Sequence, residues 1–307
     1  MSDNTPMGVV CINKHEGVTS HTIVNIVRRL YNTKQVGHTG TLDPLATGVL
    51  PVMVGRAVKA SEYLTAEDKG YKAQMQLGIV TDTGDITGNL LAQNNSIPSC
   101  EDVKNVVKTF VGNILQTPPM YSALKVNGQK LVDLARKGIE VERNAREIYI
   151  NYISVECLDE NKGVYELNVD CSKGTYIRTL ITDIGEKLQC GATMTKLHRT
   201  KSGNFNISNA ISVCELEKLS LEERYQKLLP LDSLFSDLES VNLPPFFEKL
   251  ARSGLEIYLK KINIRDDNIE VGKKYKLCTG GLFFALGEVR DYPDGKAIKP
   301  IKQFVLS

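Results

Sequence analysis

No apolar run in this sequence approaches the roughly 18 residues that a membrane-spanning helix needs. The first residues, MSDNTPMG, lack both the basic and the apolar region of a secretory signal. Both lacks predict a chain with no membrane association. The seven cysteines, Cys11, Cys100, Cys157, Cys171, Cys190, Cys214 and Cys278, are odd in number, and no two stand as C-x-x-C. A disulfide framework and a zinc site fit that spacing poorly, so reduced thiols in a cytoplasmic protein are expected. Internal repeats and low-complexity tracts are absent as well. Acidic residues are missing from residues 17–42, which hold Arg28, Arg29 and Lys34, and from residues 188–214, which hold Lys196, Arg199 and Lys201. Residues 120–146 carry six Lys or Arg against three acids, whereas residues 215–239 carry seven acids against three bases. The net charge is only +2, so it is this segregation that suggests one face turned toward a polyanion.

What is present is ordinary for a globular protein: 42% hydrophobic and 24% charged residues in a chain of 307. That length exceeds what one core comfortably serves, which predicts one large and one small domain. Residues 9–13 read as a buried strand, and Ser20 as the N-cap of a helix with Ile23, Ile26, Val27 and Leu30 on one face. Residues 37–55 read as a long structured loop ending in an apolar run. Residues 71–77 alternate as a strand does, and 99–110 read as a helix. Residues 120–138 read as a loop followed by a helix that Gly138 ends. Residues 148–155 and 164–171 read as paired strands, 175–188 as a helix, and 215–229 as an acidic helical stretch. After Pro244-Pro245 come short strands and turns, a small β-rich module. Helices and strands without strict alternation point to an α+β fold.

The least ordinary segment is Gly37-His38-Thr39-Gly40-Thr41-Leu42-Asp43-Pro44-Leu45-Ala46-Thr47-Gly48-Val49-Leu50-Pro51. Its one carboxylate stands among apolar residues. Pro44 disfavours a helical backbone at Asp43, and the glycines allow a ligand close to the main chain. A buried carboxylate needs a cation or several N–H donors. From these residues alone Asp43 reads either as the cap of a following helix or as a reactive group. A phosphate-binding loop does not fit, because the Walker Lys-Ser/Thr ending and the G-x-G-x-x-G spacing are both missing. The Asp82-Thr83-Gly84-Asp85 segment likewise lacks the pattern of a calcium loop.

This segment resembles the signature of the bacterial tRNA pseudouridine-55 synthase family, usually called TruB. Further motifs of that family follow in order. Lys69-Gly70-Tyr71-Lys72 resembles its K-x-Y, and Leu77-Gly78 with residues 81–85 resembles its L-G-x-x-T-D-T-x-D. Pro118 to Lys125, PPMYSALK, resembles its P-P-x-Y-S-A-x-K. Cys171 to Arg178, CSKGTYIR, resembles its C-S-K-G-T-Y-I-R, and Gly191, Leu197 and Arg199 match its G-x-x-x-x-x-L-x-R. One departure stands at His15, where the family's K-P-x-G-x-T-S has proline.

The resemblance implies an enzyme that breaks the C1′–N1 bond of a uridine, rotates the base and rejoins it at C5, without cofactor or metal. It implies Asp43 as nucleophile, Arg178 as its paired cation and Tyr71 as the face on which the base stacks. Tyr176 and Leu197 would line the nucleotide pocket, His38 would sit near the space left by the flipped base, and Lys59 and Asp85 would support the site. The implied fold is a mixed, largely antiparallel central sheet of the pseudouridine synthase type flanked by helices, with a small β-rich PUA-like domain. The implied division is a catalytic domain over residues 1–240, with an RNA-clamping insertion at about 118–147, and an RNA-binding domain over 241–307. The implied partner is the T-arm stem-loop of tRNA, with no guide RNA and no obligatory protein partner. Competing readings are a tRNA-binding and refolding protein with secondary catalysis, a guide-RNA-dependent synthase, and a carboxylate hydrolase using Asp85 as its second acid.

Overall fold

The computed structural model describes residues 7–64, 68–126, 128–264 and 269–305. A ten-stranded sheet dominates it. Its strands are β1 (Gly8–Lys14), β2 (Val36–His38), β3 (Thr47–Val54), β4 (Lys69–Leu77), β7 (Gly112–Gln116), β10 (Arg146–Asp159), β11 (Val164–Cys171), β12 (Ala192–Ser202), β13 (Phe205–Asn206) and β14 (Ile211–Ser212). The spatial order is β14-β1-β3-β12-β4-β11-β10-β7, with β13 on β12 and β2 on β3. Only the β1–β14 and β3–β12 pairings are parallel, so the sheet is mixed and largely antiparallel. Two small hairpins stand apart, β5 (Ile79–Thr81) with β6 (Leu90–Gln93), and β8 (Lys125–Val126) with β9 (Gln129–Lys130).

Side-chain alternation decides which face of the sheet is covered. Along β11, Tyr165, Leu167, Val169 and Cys171 point into the core while Glu166, Asn168 and Asp170 point away. Against the apolar face lie helices α1 (Ser20–Leu30), α3 (Cys100–Lys108) and α5 (Ile177–Lys187), through residues such as Ile23, Val27, Val103, Val107, Leu180 and Ile184. The short helix α2 (Ser61–Leu64) follows the 3-10 turn after β3, and α4 (Leu131–Ala135) follows β9. β3 is the continuous apolar run expected of a strand buried on both sides. Its Leu50, Val52 and Val54 join the helix-side core, and its Val49 and Met53 pack the other way against Leu231, Leu234, Phe235 and Phe304.

Phe304 belongs to the segment leaving a second sheet, β15 (Ser240–Asn242), β16 (Ile257–Tyr258), β17 (Lys274–Thr279), β18 (Leu282–Tyr292) and β19 (Gly295–Gln303), ordered β15-β17-β18-β19-β16. Helix α8 (Pro245–Arg252) buries Ala251 in that sheet's own core with Tyr275, Leu277, Phe284 and Ile298.

Three local expectations are corrected. The N-cap of α1 is Thr19, whose hydroxyl accepts from the Thr22 N–H, and Ser20 lies inside the helix. No helix follows Asp43: the backbone turns once, Ala46 N–H to Asp43 carbonyl, and enters β3 at Thr47, so Asp43 caps nothing. The acidic stretch is not one helix but two, α6 (Val213–Lys218) and α7 (Leu221–Gln226). Each begins at a serine with a complete capping box, and Ser220 breaks the run between them.

Candidate active site

The loop that carries Asp43 is held from behind by buried polar side chains. Ser20 Oγ accepts from Leu42 N–H at 2.8 Å and donates to Leu42 carbonyl at 3.0 Å, pinning the residue next to Asp43 to α1. Lys14 is fully buried, and its ammonium donates to the carbonyls of Val18 (2.8 Å), His15 (2.9 Å) and Pro44 (3.4 Å). Burial pulls its pKa down to about 8, and the nearby Asp43 carboxylate opposes that fall. On the other side of the loop Gly48 has φ +100°, and a Cβ there would lie 2.2 Å from the Arg199 carbonyl oxygen. Glycine is therefore what lets β3 run beside β12 at this point.

Arg178 enters from the first turn of α5. A cation is poorly placed at the positive end of a helix, and its side chain is only 7% exposed, so it needs compensation. Nη1 donates to Thr83 carbonyl at 2.9 Å and Nη2 to Tyr121 carbonyl at 2.7 Å. The same Nη2 lies 3.0 Å from Asp43 Oδ2, and Nε lies 3.9 Å from Asp85 Oδ2. The two carboxylates differ sharply. Asp85 is buried, and its Oδ1 accepts from the Thr87 N–H and from the hydroxyls of Thr83 and Thr87. Asp43 is 37% exposed, and Arg178 is its one partner among the described residues. Asp85 is thus a fixed counter-charge and Asp43 an available one. A hydrolase would want Asp85 poised in the cavity as an acid. Instead it is locked in its own turn, outside the cavity lining.

Asp43 and Arg178 open onto a cavity of about 300 Å³ that Tyr71, Tyr176, Leu197, Arg199, Thr39 and Ser122 also line. Tyr71 projects from β4 and pairs with Arg199 across the β4–β12 ladder. Arg199 is 1% exposed and donates through Nε to the Val49 carbonyl (2.7 Å) and through Nη2 to the Gly40 carbonyl (3.2 Å), which ties the neighbour of Tyr71 to the loop. Tyr176 is the cap residue of α5 and has no side-chain cap. Gln116, buried at the end of β7, satisfies it instead: its Oε1 accepts Tyr176 N–H at 2.7 Å and its Nε2 donates to Tyr176 carbonyl at 3.1 Å. Gln116 pairs with Arg146 across the β7–β10 ladder, so residues 117–145 leave and return at one place. That insertion brings Tyr121 and Ser122 over the cavity.

Five of the eight residues picked out by sequence therefore converge directly: Asp43, Arg178, Tyr71, Tyr176 and Leu197. Asp85 stands behind Arg178. His38 sits just before Thr39, and its Nδ1 accepts from Gly40 N–H at 3.2 Å. Burial and the Arg199 charge lower its pKa, so it is a neutral support of the turn near pH 7. Lys59 is not brought to the cavity; its ammonium reaches the Gln303 carbonyl of the second sheet at 3.3 Å. Lys14, Thr39, Gln116, Ser122 and Arg199 were not singled out as site residues. Lys14, Thr39, Ser122 and Arg199 did lie within matched motifs, while nothing around Gln116 marks it.

Residues 28–177 match the N-terminal domain of the TruB family pseudouridylate synthases, and residues 178–241 match the tRNA pseudouridylate synthase B C-terminal domain. The second match ends as the second sheet begins. The chain is 40% identical over 282 residues to the tRNA pseudouridine synthase B of Clostridium tetani, covering 92% of this chain and 95% of that one. It is 46% identical over 232 residues to the enzyme of the same name from Francisella philomiragia, covering 75% of this chain and 76% of that one. Among solved structures, a Cbf5-Nop10-Gar1 complex contains a chain that superposes with a TM-score of 0.72 at 25% identity, covering 98% of this chain and 86% of that one. By identity, length and fold together, the chain belongs to the TruB family of pseudouridine synthases.

Proposed function

We propose that this chain converts a T-loop uridine of tRNA, position 55, into pseudouridine with Asp43 as the nucleophile. The observation that carries the proposal is the 3.0 Å contact of Arg178 Nη2 with Asp43 Oδ2 at the mouth of the cavity that Tyr71 lines. The guanidinium holds the carboxylate at the cavity mouth, and a carboxylate so placed is a competent nucleophile. A cavity of about 300 Å³ admits a nucleotide but not a helix, so the target base must leave its stack. The phenol ring of Tyr71 offers that base a π-face.

The reaction balances within the substrate. The C1′–N1 bond breaks and leaves its electron pair on N1. Asp43 holds the intermediate through a temporary bond to C1′ of the sugar or C6 of the ring. The base turns, C5 bonds to C1′, C5 gives up its proton and N1 takes one. No atom is gained or lost.

The tRNA T-arm is the partner this reading requires. The insertion, about 118–147, is the segment that closes on it, and the basic excess of residues 120–146 suits phosphate contacts. We place the catalytic domain at residues 1–240 and a PUA-like RNA-binding domain at 241–307, and we place the protein in the cytoplasm. The competing reading, a tRNA-folding protein with incidental catalysis, makes Asp43 dispensable.

The test incubates purified protein with an unmodified tRNA transcript and maps pseudouridine by chemical labelling. Wild type should modify one T-loop uridine, and Asp43→Asn should bind the RNA yet modify none. An unmodified T-loop with wild type defeats the proposal.

A further inference from the structure

Four side-chain polar atoms are buried without a hydrogen-bond partner among the described residues: Arg28 Nε, Arg143 Nε, Thr39 Oγ1 and Ser122 Oγ. The two arginines bond through their other nitrogens. Only the two hydroxyls are left wholly unpaired. Thr39 is 1% exposed and Ser122 6%, and both line the cavity of Asp43 and Tyr71. A buried hydroxyl with no partner destabilises the protein that carries it, so its place in a fold calls for a reason. The two come from separate segments. Thr39 belongs to the loop ahead of Asp43, and Ser122 to the insertion, one residue after the carbonyl that holds Arg178.

We infer that Thr39 and Ser122 are positioning residues whose hydroxyls bond the carbonyl oxygens of the uracil while it turns in the cavity. This rests on the functional reading above. Its chemistry follows from the symmetry of the ring. Moving the sugar from N1 to C5 requires a half-turn of uracil about the axis through N3 and C6. That turn exchanges O2 with O4 and leaves N3–H in place. The polar edge is therefore acceptor, donor, acceptor both before and after. Two hydroxyl donors facing the two carbonyl positions are satisfied at the start and at the end. A hydroxyl also rotates freely about its Cβ–Oγ bond and can follow an oxygen that moves between those positions. Because Ser122 rides on the insertion, its contact forms only with the insertion over the cavity.

The experiment measures kcat/KM on a T-arm stem-loop, with melting temperature, for wild type, Thr39→Val, Thr39→Ser and Ser122→Ala. Thr39→Val and Ser122→Ala should each lose roughly threefold to tenfold in kcat/KM, the net worth of one hydrogen bond, and Thr39→Ser should recover the loss. Melting temperatures should hold or rise, since each variant removes an unpaired buried hydroxyl. Replacing a target carbonyl oxygen by sulfur, a poor acceptor, should slow wild type but slow each hydroxyl-deleted variant less, since one of the two donors that oxygen meets in turn is already gone. Unchanged kcat/KM, a loss that tracks a lower melting temperature, or an equal sulfur penalty in all proteins overturns the inference. A wild-type protein that makes no pseudouridine overturns the functional reading instead.

Discussion

Replacing Arg178 by methionine removes the one cation in contact with Asp43 and keeps most of the volume. The structure sets two separate magnitudes. Thr83 and Tyr121 carbonyls lose a charged donor, and Asp85 loses its counter-charge. Breaking a buried ion pair from one side costs about 3–5 kcal/mol. The low end applies here, because Asp43 is 37% exposed and Asp85 keeps three donors in its own turn. Activity should fall further. Without the guanidinium the carboxylate is no longer aimed, and loss of one such preorganised group costs roughly 10²–10³ in kcat. Arg178→Lys separates charge from geometry: an ammonium restores the charge but cannot span Thr83, Tyr121 and Asp43 from one planar fork. It should lie between the two, about tenfold below wild type. The assay is single-turnover release of tritium from a T-arm labelled at the target C5, since that carbon must lose its hydrogen, with urea unfolding of each protein alongside. A folded Arg178→Met protein within tenfold of wild type would refute the assignment of Arg178 to the nucleophile.

Gly48→Ala should cost roughly 3 kcal/mol or more in urea unfolding, because its Cβ would meet a backbone oxygen at 2.2 Å with φ at +100°. Gln116→Leu strips the Tyr176 N–H of its partner, while the Tyr176 carbonyl keeps Leu180 N–H, and should cost about 1–3 kcal/mol, with KM for the stem-loop raised more than kcat is lowered. Asp183→Asn should stabilise the protein at pH 7. Burial, with Glu186 beside it, raises the Asp183 pKa from 3.8 to about 6, so between those values the folded form binds more protons and stability falls as pH rises. Half-exposed surroundings reduce the gain to on the order of 1 kcal/mol, and it should vanish in melts run near pH 4.

Residues whose pattern is local were legible in the sequence. The alternation of β11 and the apolar face of α1 follow from strand and helix periods, and the structure keeps them. What periodicity cannot carry is a contact between distant segments. Thr19 and Ser20 are both competent caps, and the choice between them falls to a tertiary bond, since Ser20 is taken by Leu42. Arg178 by itself reads as a helix-surface residue. Its burial follows from partners at Asp43, Thr83, Asp85 and Tyr121, which lie on three other segments. Gln116 looks like any polar residue at a strand end, and its value lies wholly in the unsatisfied start of a helix 60 residues on. Motif resemblance reached Asp43, Tyr71 and Arg178 because it encodes such contacts without deriving them. It gave Lys59 a supporting place beside them, although that side chain reaches the second sheet.

The insertion and Asp43, the proposed nucleophile, share a single nitrogen. Arg178 Nη2 donates to the Tyr121 carbonyl and lies 3.0 Å from Asp43 Oδ2. The guanidinium is only 7% exposed, so an N–H deprived of Tyr121 has little water to turn to. Displacing the insertion therefore leaves an unmade bond on the group that aims Asp43. The ladder from Gln116 to Arg146 fixes where the insertion leaves the sheet, and Gln116 also holds Tyr176 at the cavity wall. Placement of the insertion, of the cavity wall and of the nucleophile's cation is thus one linked arrangement. If the insertion closes on RNA as proposed, the RNA favours the same arrangement in which Asp43 is aimed. On the proposed reading, this coupling is the route by which phosphate contacts far from the base favour the placement of the carboxylate.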